Sequence, residues 1–186
     1  MLELMFRRLV LLALLSLSTA VGAEEVPICY NYDCAILDIV DFSEDELQQI
    51  SELFTMVPDA VLERVAIAEA IGLFETFAGR QTPTSADKGG NAADEDAPGR
   101  MDCVDESANT TTYLRLLERR GLLHFHRVLA PVSRIHWVLY THWSARVAEI
   151  GTGQEYAVDS WFHDNGEPAV IFEMEDWMER AGLYGL

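Results

Sequence analysis

Cysteine is scarce in this chain, with three in 186 residues, too few for a disulfide framework to stand in for a hydrophobic core. Basic residues are scarce too: 13 Lys and Arg face 31 Asp and Glu, for a formal charge of −18. A phosphate backbone demands clustered cations, and the one local group, Arg115 with Arg119 and Arg120, falls on a single short helix. No nucleic-acid partner is expected. Long apolar runs are missing as well. The longest, Leu9 to Leu17, falls short of the roughly 20 residues a membrane-spanning helix needs.

That run has the form of an export signal. Arg7 and Arg8 precede it, and Ser-Thr-Ala-Val-Gly-Ala23 follows before Glu24, a small-residue cleavage site. The expectation is a signal peptide over 1–23 and a periplasmic or secreted mature chain over 24–186, with no membrane span. A retained N-terminal anchor is the alternative. Cleavage would remove Arg7, Arg8 and Glu3, leaving about 11 basic and 30 acidic residues, a balance near −19. About 160 residues suit a single domain with its own core. So acidic a surface serves solubility first, with calcium as a possible ligand.

In an oxidising compartment the three cysteines raise a question of pairing. Cys29 and Cys34 are close enough to bridge each other, and so small a loop would pin local geometry more than stabilise the fold. A dithiol redox or metal pair is the weaker alternative, because four residues intervene rather than two. The segment from Glu24 to Asp41 around them reads as extended and irregular. Cys103 is left over, and a lone exported thiol is either buried and inert or placed where its thiolate does chemistry.

Helices follow. Ser43-Glu-Asp-Glu46 is a capping box ahead of Leu47, Ile50, Leu53 and Phe54, which recur at helical spacing. Pro58 and Asp59 open a second helix, Val61 to Ala78, with Val65, Ala68, Ile71 and Phe74 expected inside and Gly79 as its stop. From 80 to 100 the chain is rich in Gly, Ala, Asp and Pro with no hydrophobic period. A loop of that length is functional or disordered, and this one leads straight to Cys103 and could border a cleft.

Cys103 sits at a helix start, with Asp102 as N-cap, Glu106 in the first turn, an apolar face of Tyr113, Leu114, Leu116 and Leu117, and Gly121 at the end. Free N–H groups and the positive end of the helix dipole favour a thiolate there. Asp102 and Asp105 oppose that effect, so the thiol needs a basic partner.

Strand patterns take over downstream: Leu123 to Leu129, a long alternating stretch from Ile135 to Ile150, a turn at Gly151-Thr-Gly153, Glu155 to Phe162, and Ala169 to Phe172 before a helix from Glu173 to Arg180. Helices first and antiparallel strands second make an α+β domain, a helical N-terminal half packed on a C-terminal sheet. A tight turn at Ile150 to Thr152 sets Asp159 opposite a residue near 142 to 144, which brings His142 and Asp159 together on adjacent strands. His136 lies roughly 20 Å further along an extended strand. A one-residue slip of register would turn either side chain away.

Asp102-Cys103-Val-Asp105, with a helix ending Leu-Leu-Glu-Arg-Arg-Gly121, then His142-Trp-Ser-Ala-Arg-Val, then Tyr156-Ala-Val-Asp159-Ser-Trp161, resembles the transglutaminase-like cysteine peptidase superfamily in residue order and spacing over about residues 100–162. The resemblance implies a papain- or transglutaminase-like fold with Cys103 as nucleophile, His142 as the base and Asp159 as the residue orienting it. His136-Trp-Val-Leu resembles a segment of some members and keeps His136 as the alternative base. The chain departs from the family in having Met101-Asp102 where a Gly-Asp pair is usual.

Blander roles stand beside these. Cys103 alone would be read as a small buried hydrophobe, His124, His126 and His163 as hydrogen-bonded strand residues, and Trp137, Trp143 and Trp161 as core aromatics. His124 and His126 share a strand face, but no third ligand completes a metal set. The Cys103 backbone N–H is the natural oxyanion donor, with Gln81 as one possible second. The sequence points to an exported thiol hydrolase or acyltransferase acting on a peptide or amide carbonyl through a thioester, without a cofactor. The rival is a non-catalytic periplasmic domain binding a protein partner or calcium.

Overall fold

A computed structural model describes residues 23–90, 94, 97–136 and 140–179; the signal peptide expected over 1–23 lies, but for Ala23, outside the described residues. The chain starts with two antiparallel strands, β1 (Glu24–Tyr30) and β2 (Ile36–Phe42), paired from Glu24↔Phe42 to Tyr30↔Ile36. The irregular stretch expected there is thus a regular ribbon, and the reason is a period-2 pattern. Val26, Ile28, Val40 and Phe42 turn into the core while Glu25, Pro27, Ile39 and Asp41 turn out. The N-terminal half is therefore not purely helical.

The tip of this ribbon is unusual. Asn31, Tyr32, Asp33 and Cys34 have φ values of 67, 62, 52 and 52°, four consecutive left-handed residues without a glycine. Each costs about 1–2 kcal/mol relative to right-handed backbone. A Cys29–Cys34 disulfide, with Cα atoms 4.6 Å apart, closes the turn at its base.

α1 (Glu44–Glu52) begins at the capping box read from the sequence: Ser43 Oγ accepts from the Glu46 N–H at 3.4 Å and Glu46 Oε2 accepts from the Ser43 N–H at 3.0 Å. α2 (Ala60–Gly79) is capped by Asp59 and runs through Gly79, the expected stop. Its inward face is Ala66, Ile67, Ala70, Ile71, Phe74 and Phe77. Val65 is 54% exposed, so the interior stripe lies one residue further round than its spacing suggests. α3 (Cys103–Arg119) is capped by Asp102. Phe74 packs on Phe42 at 5.1 Å and stacks on Tyr113 at 4.9 Å between ring centroids, which locks ribbon, α2 and α3 together.

The second sheet is an antiparallel meander of β3 (His126–Val128), β4 (Val132–His136), β5 (Tyr140–Glu149), β6 (Glu155–Asp159) and β7 (Val170–Glu173), in which β3 and β4 both pair with one edge of β5. The single strand expected over Ile135 to Ile150 is instead a hairpin, with β4 folding back so that His136 faces Tyr140. β3 pairs with β5 as Val128↔Val147, yet β4 resumes as Val132↔Ser144, which leaves one extra residue between them. The cause is Pro131, which has no N–H for the ladder, and Arg146 Nε satisfies the neighbouring Ala130 carbonyl at 3.0 Å. This bulge sets Arg134 opposite His142.

Strand alternation gives the sheet two different faces. Ala145, Val147, Tyr156 and Val158 join the main core under α2 and α3. Ala157 and Phe172, on the other face, pack against Trp177 of α4 (Met174–Glu179). His142 and Asp159 lie on this second face, since Ser144 continues the pairing opposite Asp159. The coarse α+β class holds, every strand pair described being antiparallel. Among the described residues no helix is long and apolar enough to cross a membrane.

Candidate functional site

β5 bonds to its two neighbours through alternate residues. Arg146 and Ile150 bond toward the β3 side, through Leu129 N–H to Arg146 O and Ile150 N–H to Phe125 O, while the Glu149 N–H reaches Gln154 O on the β6 side. Thr141 and Trp143 share Glu149's phase, so their backbone groups point toward β6, which has already ended at Asp159. Cys103 fills the gap. Its Sγ donates to Thr141 O at 3.7 Å and the Trp143 backbone hydrogen-bonds the sulfur. The thiol therefore lies on the backbone either side of His142.

His142 and Asp159 meet as the hairpin register requires: His142 Nε2 is 2.8 Å from Asp159 Oδ2, and both residues are buried. They are diagonal neighbours rather than a directly opposed pair, Asp159 falling opposite Ser144. The other ring nitrogen, Nδ1, is buried without a hydrogen-bond partner among the described residues. The imidazole is boxed by Trp161, Phe162 and Trp177, with centroids 5.0, 5.7 and 5.8 Å away. The His136 backbone belongs to β4, but its side chain lies outside the described residues, as does Trp137.

The thiol is not pre-ionised. Burial pushes the Cys103 thiol up to about 11, with Asp102 and Asp159 adding to the rise and the Trp143 backbone and its own N–H pulling the other way. The helix start is outweighed chiefly by burial; of the two acids named from the sequence, Asp102 adds to the rise. The resting form at neutral pH is a neutral thiol held on the backbone of Thr141 and Trp143, without a hydrogen bond to the His142 ring among the described residues.

Several residues around the site carried no signal in the sequence. Trp177 donates its indole N–H to Asp159 Oδ2 at 2.8 Å, so one oxygen takes both His142 and Trp177. Arg134 lies over the Trp177 ring, 4.6 Å from its centroid, and donates to the Trp177 carbonyl. Behind Asp159, Ser160 Oγ reaches Glu106 Oε2 at 2.5 Å and Thr110 Oγ1 at 2.9 Å. A tryptophan 18 residues beyond Asp159, on a separate helix, is a partner that spacing rules for short motifs do not reach. Trp177→Phe, which keeps the ring and removes the N–H, is expected to cost about 1–3 kcal/mol in urea denaturation. An unchanged midpoint would show that the indole N–H does not hold Asp159.

Other expectations resolve differently. Gln81 is not an oxyanion donor: its amide pairs with both backbone groups of Asp41, at 2.9 Å each. His126 is a buried core histidine whose Nδ1 meets Glu63 Oε1 at 2.9 Å. His124 is exposed, and His163 Nδ1 lies 2.9 Å from Pro168 O. Trp143 is 38% exposed, whereas Trp161 is core.

The long loop does border this region. Gly90 N–H donates to Trp161 O at 2.7 Å and Gly89 N–H to Asp164 Oδ1 at 3.0 Å, with Lys88 on the same carboxylate. A Cβ on Gly89 would come within 2.5 Å of Phe162 O, which is why a glycine stands there. Among the described residues, the group of potential metal ligands that converges is Cys29, Cys34 and Asp105. Both sulfurs are spent in the disulfide, which leaves Asp105 as the sole anionic donor. Compared with protein-family models, curated proteins and solved structures, the chain matches none.

Proposed function

We propose that this chain is an exported thiol hydrolase or acyltransferase of transglutaminase-like fold, acting on a peptide or amide carbonyl. The observation that carries the reading is the imidazole of His142, tied to Asp159 through Nε2 and unpartnered at Nδ1, with the Cys103 sulfur on the backbone of Thr141 and Trp143 at its two sides. The disulfide is compatible with an oxidising compartment.

Because the resting thiol is neutral, the base has to act as the substrate reacts. His142 Nδ1 takes the Sγ proton while sulfur attacks the carbonyl carbon. Asp159 and the Trp177 N–H fix the ring and stabilise the imidazolium that forms. Collapse of the tetrahedral adduct breaks the C–N bond, and His142 returns the proton to the leaving amine. Water or a second amine then releases the acyl group from the thioester. The Cys103 N–H at the start of α3 is the donor for the developing oxyanion.

A small activated ester is the suitable first probe for so buried a thiol. With p-nitrophenyl acetate, wild type should release one equivalent of nitrophenolate in a burst and gain one acetyl group on Cys103 by mass spectrometry. Cys103→Ala should lose the burst, and His142→Ala should slow it by about 10²–10⁴-fold. Acetylation at other residues, or a burst indifferent to His142→Ala, would leave Cys103 as an inert core thiol. His136→Ala should retain most of the burst.

A further inference from the structure

The left-handed tip of the β1–β2 ribbon grips the start of the nucleophile helix. In such a turn successive N–H groups converge on one point, a nest that takes an anion. Here the anion is a carboxylate of the protein itself: Tyr32 N–H donates to Asp105 Oδ2 at 2.7 Å and Cys34 N–H to Asp105 Oδ1 at 2.6 Å. Asp33 N–H reaches Asp102 Oδ2 at 3.2 Å. Asn109 continues the attachment, with Oδ1 accepting from the Cys29 N–H at 2.7 Å and Nδ2 donating to Cys29 O at 2.8 Å. Asp102, Asp105 and Asn109 are spaced i, i+3, i+7, one face of the helix, and that face serves the disulfide loop.

The tip is also tied to the strand of chain entering α3. Asn31 N–H donates to Arg100 O and Asn31 Oδ1 accepts from the Gly99 N–H, each at 2.8 Å, while Tyr32 Oη donates to Asp94 Oδ1 at 2.6 Å. Cys103 lies between the two carboxylates that the turn holds. Its backbone is flanked on both sides by residues bonded to the turn.

We infer that Asp105 is a positioning residue for Cys103 and that the Cys29–Cys34 disulfide controls it. Reduction by a dithiol moves two electrons and two protons onto the sulfurs, breaks the S–S bond and leaves two thiols and an oxidised dithiol. The turn then loses the closure that keeps four consecutive residues left-handed. As it relaxes, the Tyr32 and Cys34 N–H groups leave Asp105, a fully buried carboxylate, and the first turn of α3 shifts toward water. A nucleophile displaced by about 1 Å loses on the order of 100-fold in rate.

This inference rests on the proposed acyl chemistry for its kinetic arm and stands on its own in the structural arm. Hydrogen exchange read by mass spectrometry, on protein held with dithiothreitol or oxidised, should show protection lost over residues 103–109 on reduction and kept over 113–117 and in β5 and β6. The Cys29→Ser/Cys34→Ser double variant should match the reduced protein in either buffer. In the p-nitrophenyl acetate assay reduction should slow the Cys103 burst about 10- to 100-fold. Asp105→Asn, which keeps the shape but sets an NH2 against one of the two N–H donors, should slow it by a similar factor in oxidised protein and leave reduction little further effect. If oxidised protein gives no burst, the enzymatic reading fails while the exchange result still decides the clamp. If protection over 103–109 is the same in both redox states, or Asp105→Asn and reduction act additively, the clamp is overturned.

Discussion

Glu63→Ala should leave the domain barely folded, at a cost of about 3–5 kcal/mol against the 5–15 kcal/mol typical of a domain. Glu63 is on the inward side of α2 with no solvent exposure, and its carboxylate is the anchor for the start of the meander. It accepts from the backbone N–H groups of His124, Phe125 and His126 at 2.6, 2.9 and 2.8 Å, and lies 2.9 Å from His126 Nδ1. Burial alone would raise this carboxyl, but His126 and those N–H groups outweigh it and hold it below its ordinary value. Alanine removes the acceptor and strands every donor, each at about 1–3 kcal/mol where buried. Urea denaturation would show it, with Glu63→Gln keeping part of the loss back because one amide oxygen can still accept. A Glu63→Ala midpoint within error of wild type would mean water replaces the carboxylate at no cost.

His126 bears on how the chain could be read beforehand. It was legible as a hydrogen-bonded strand histidine, but its partner sits 63 residues away on a helix, and no local spacing encodes such a pair. The same limit hides Trp177 and Asp105. What was legible is what the chain encodes locally: the Ser43–Glu46 box, Asp102 capping a helix that begins at Cys103, and a two-fold strand period around a Gly-Thr-Gly turn that fixes His142 against Asp159. Pro131 takes a donor from the ladder and puts a bulge between β3 and β4, which a strand period does not show. The ribbon is encoded by the alternation of Val26, Ile28, Val40 and Phe42, split in two by a polar tip of four left-handed residues that carries no strand pattern.

The arrangement that positions the site also stores charge behind it. Ser160 follows Asp159, and its hydroxyl leads to Glu106, whose buried carboxyl feels the charges of Glu75 and Asp87. The helix that begins at Cys103 keeps that thiol neutral, burial and the Asp102 charge both raising it, and burial pushes the Asp105 and Glu106 carboxyls toward their protonated forms. The acyl chemistry proposed above needs only that neutrality, since the base takes its proton during attack.

Stability should therefore rise as pH falls from 8 to about 5, the reverse of ordinary acid sensitivity. Burial, and after it the charge of Asp87, pushes Glu75 up from 4.5 to about 8; Glu106 is raised well above its usual range by burial, Glu75 and Asp87, and Asp105 goes up to about 6 by burial and Asp102. A carboxyl with a raised folded pKa binds its proton more tightly in the native state. Its contribution is complete below the unfolded pKa and is lost as pH climbs through the folded one. For Glu75, raised from 4.5 to about 8, the loss falls between those two values. Glu63 works in the opposite sense: its pKa is depressed, so its share is present above the ordinary value near 4.5 and fades as pH drops below it. The two trends cross near about pH 5. Calorimetry from pH 4 to 9 should give a Tm maximum close to that point and a steady fall toward alkaline pH. Glu75→Gln supplies a neutral side chain of the same shape that can still accept from the Gly166 N–H, which reaches Glu75 Oε2 at 3.0 Å. It should raise the Tm at pH 8 and flatten the slope, while a Tm that climbs from pH 5 to 8 in wild type would mean these carboxyls are ionised in the folded protein.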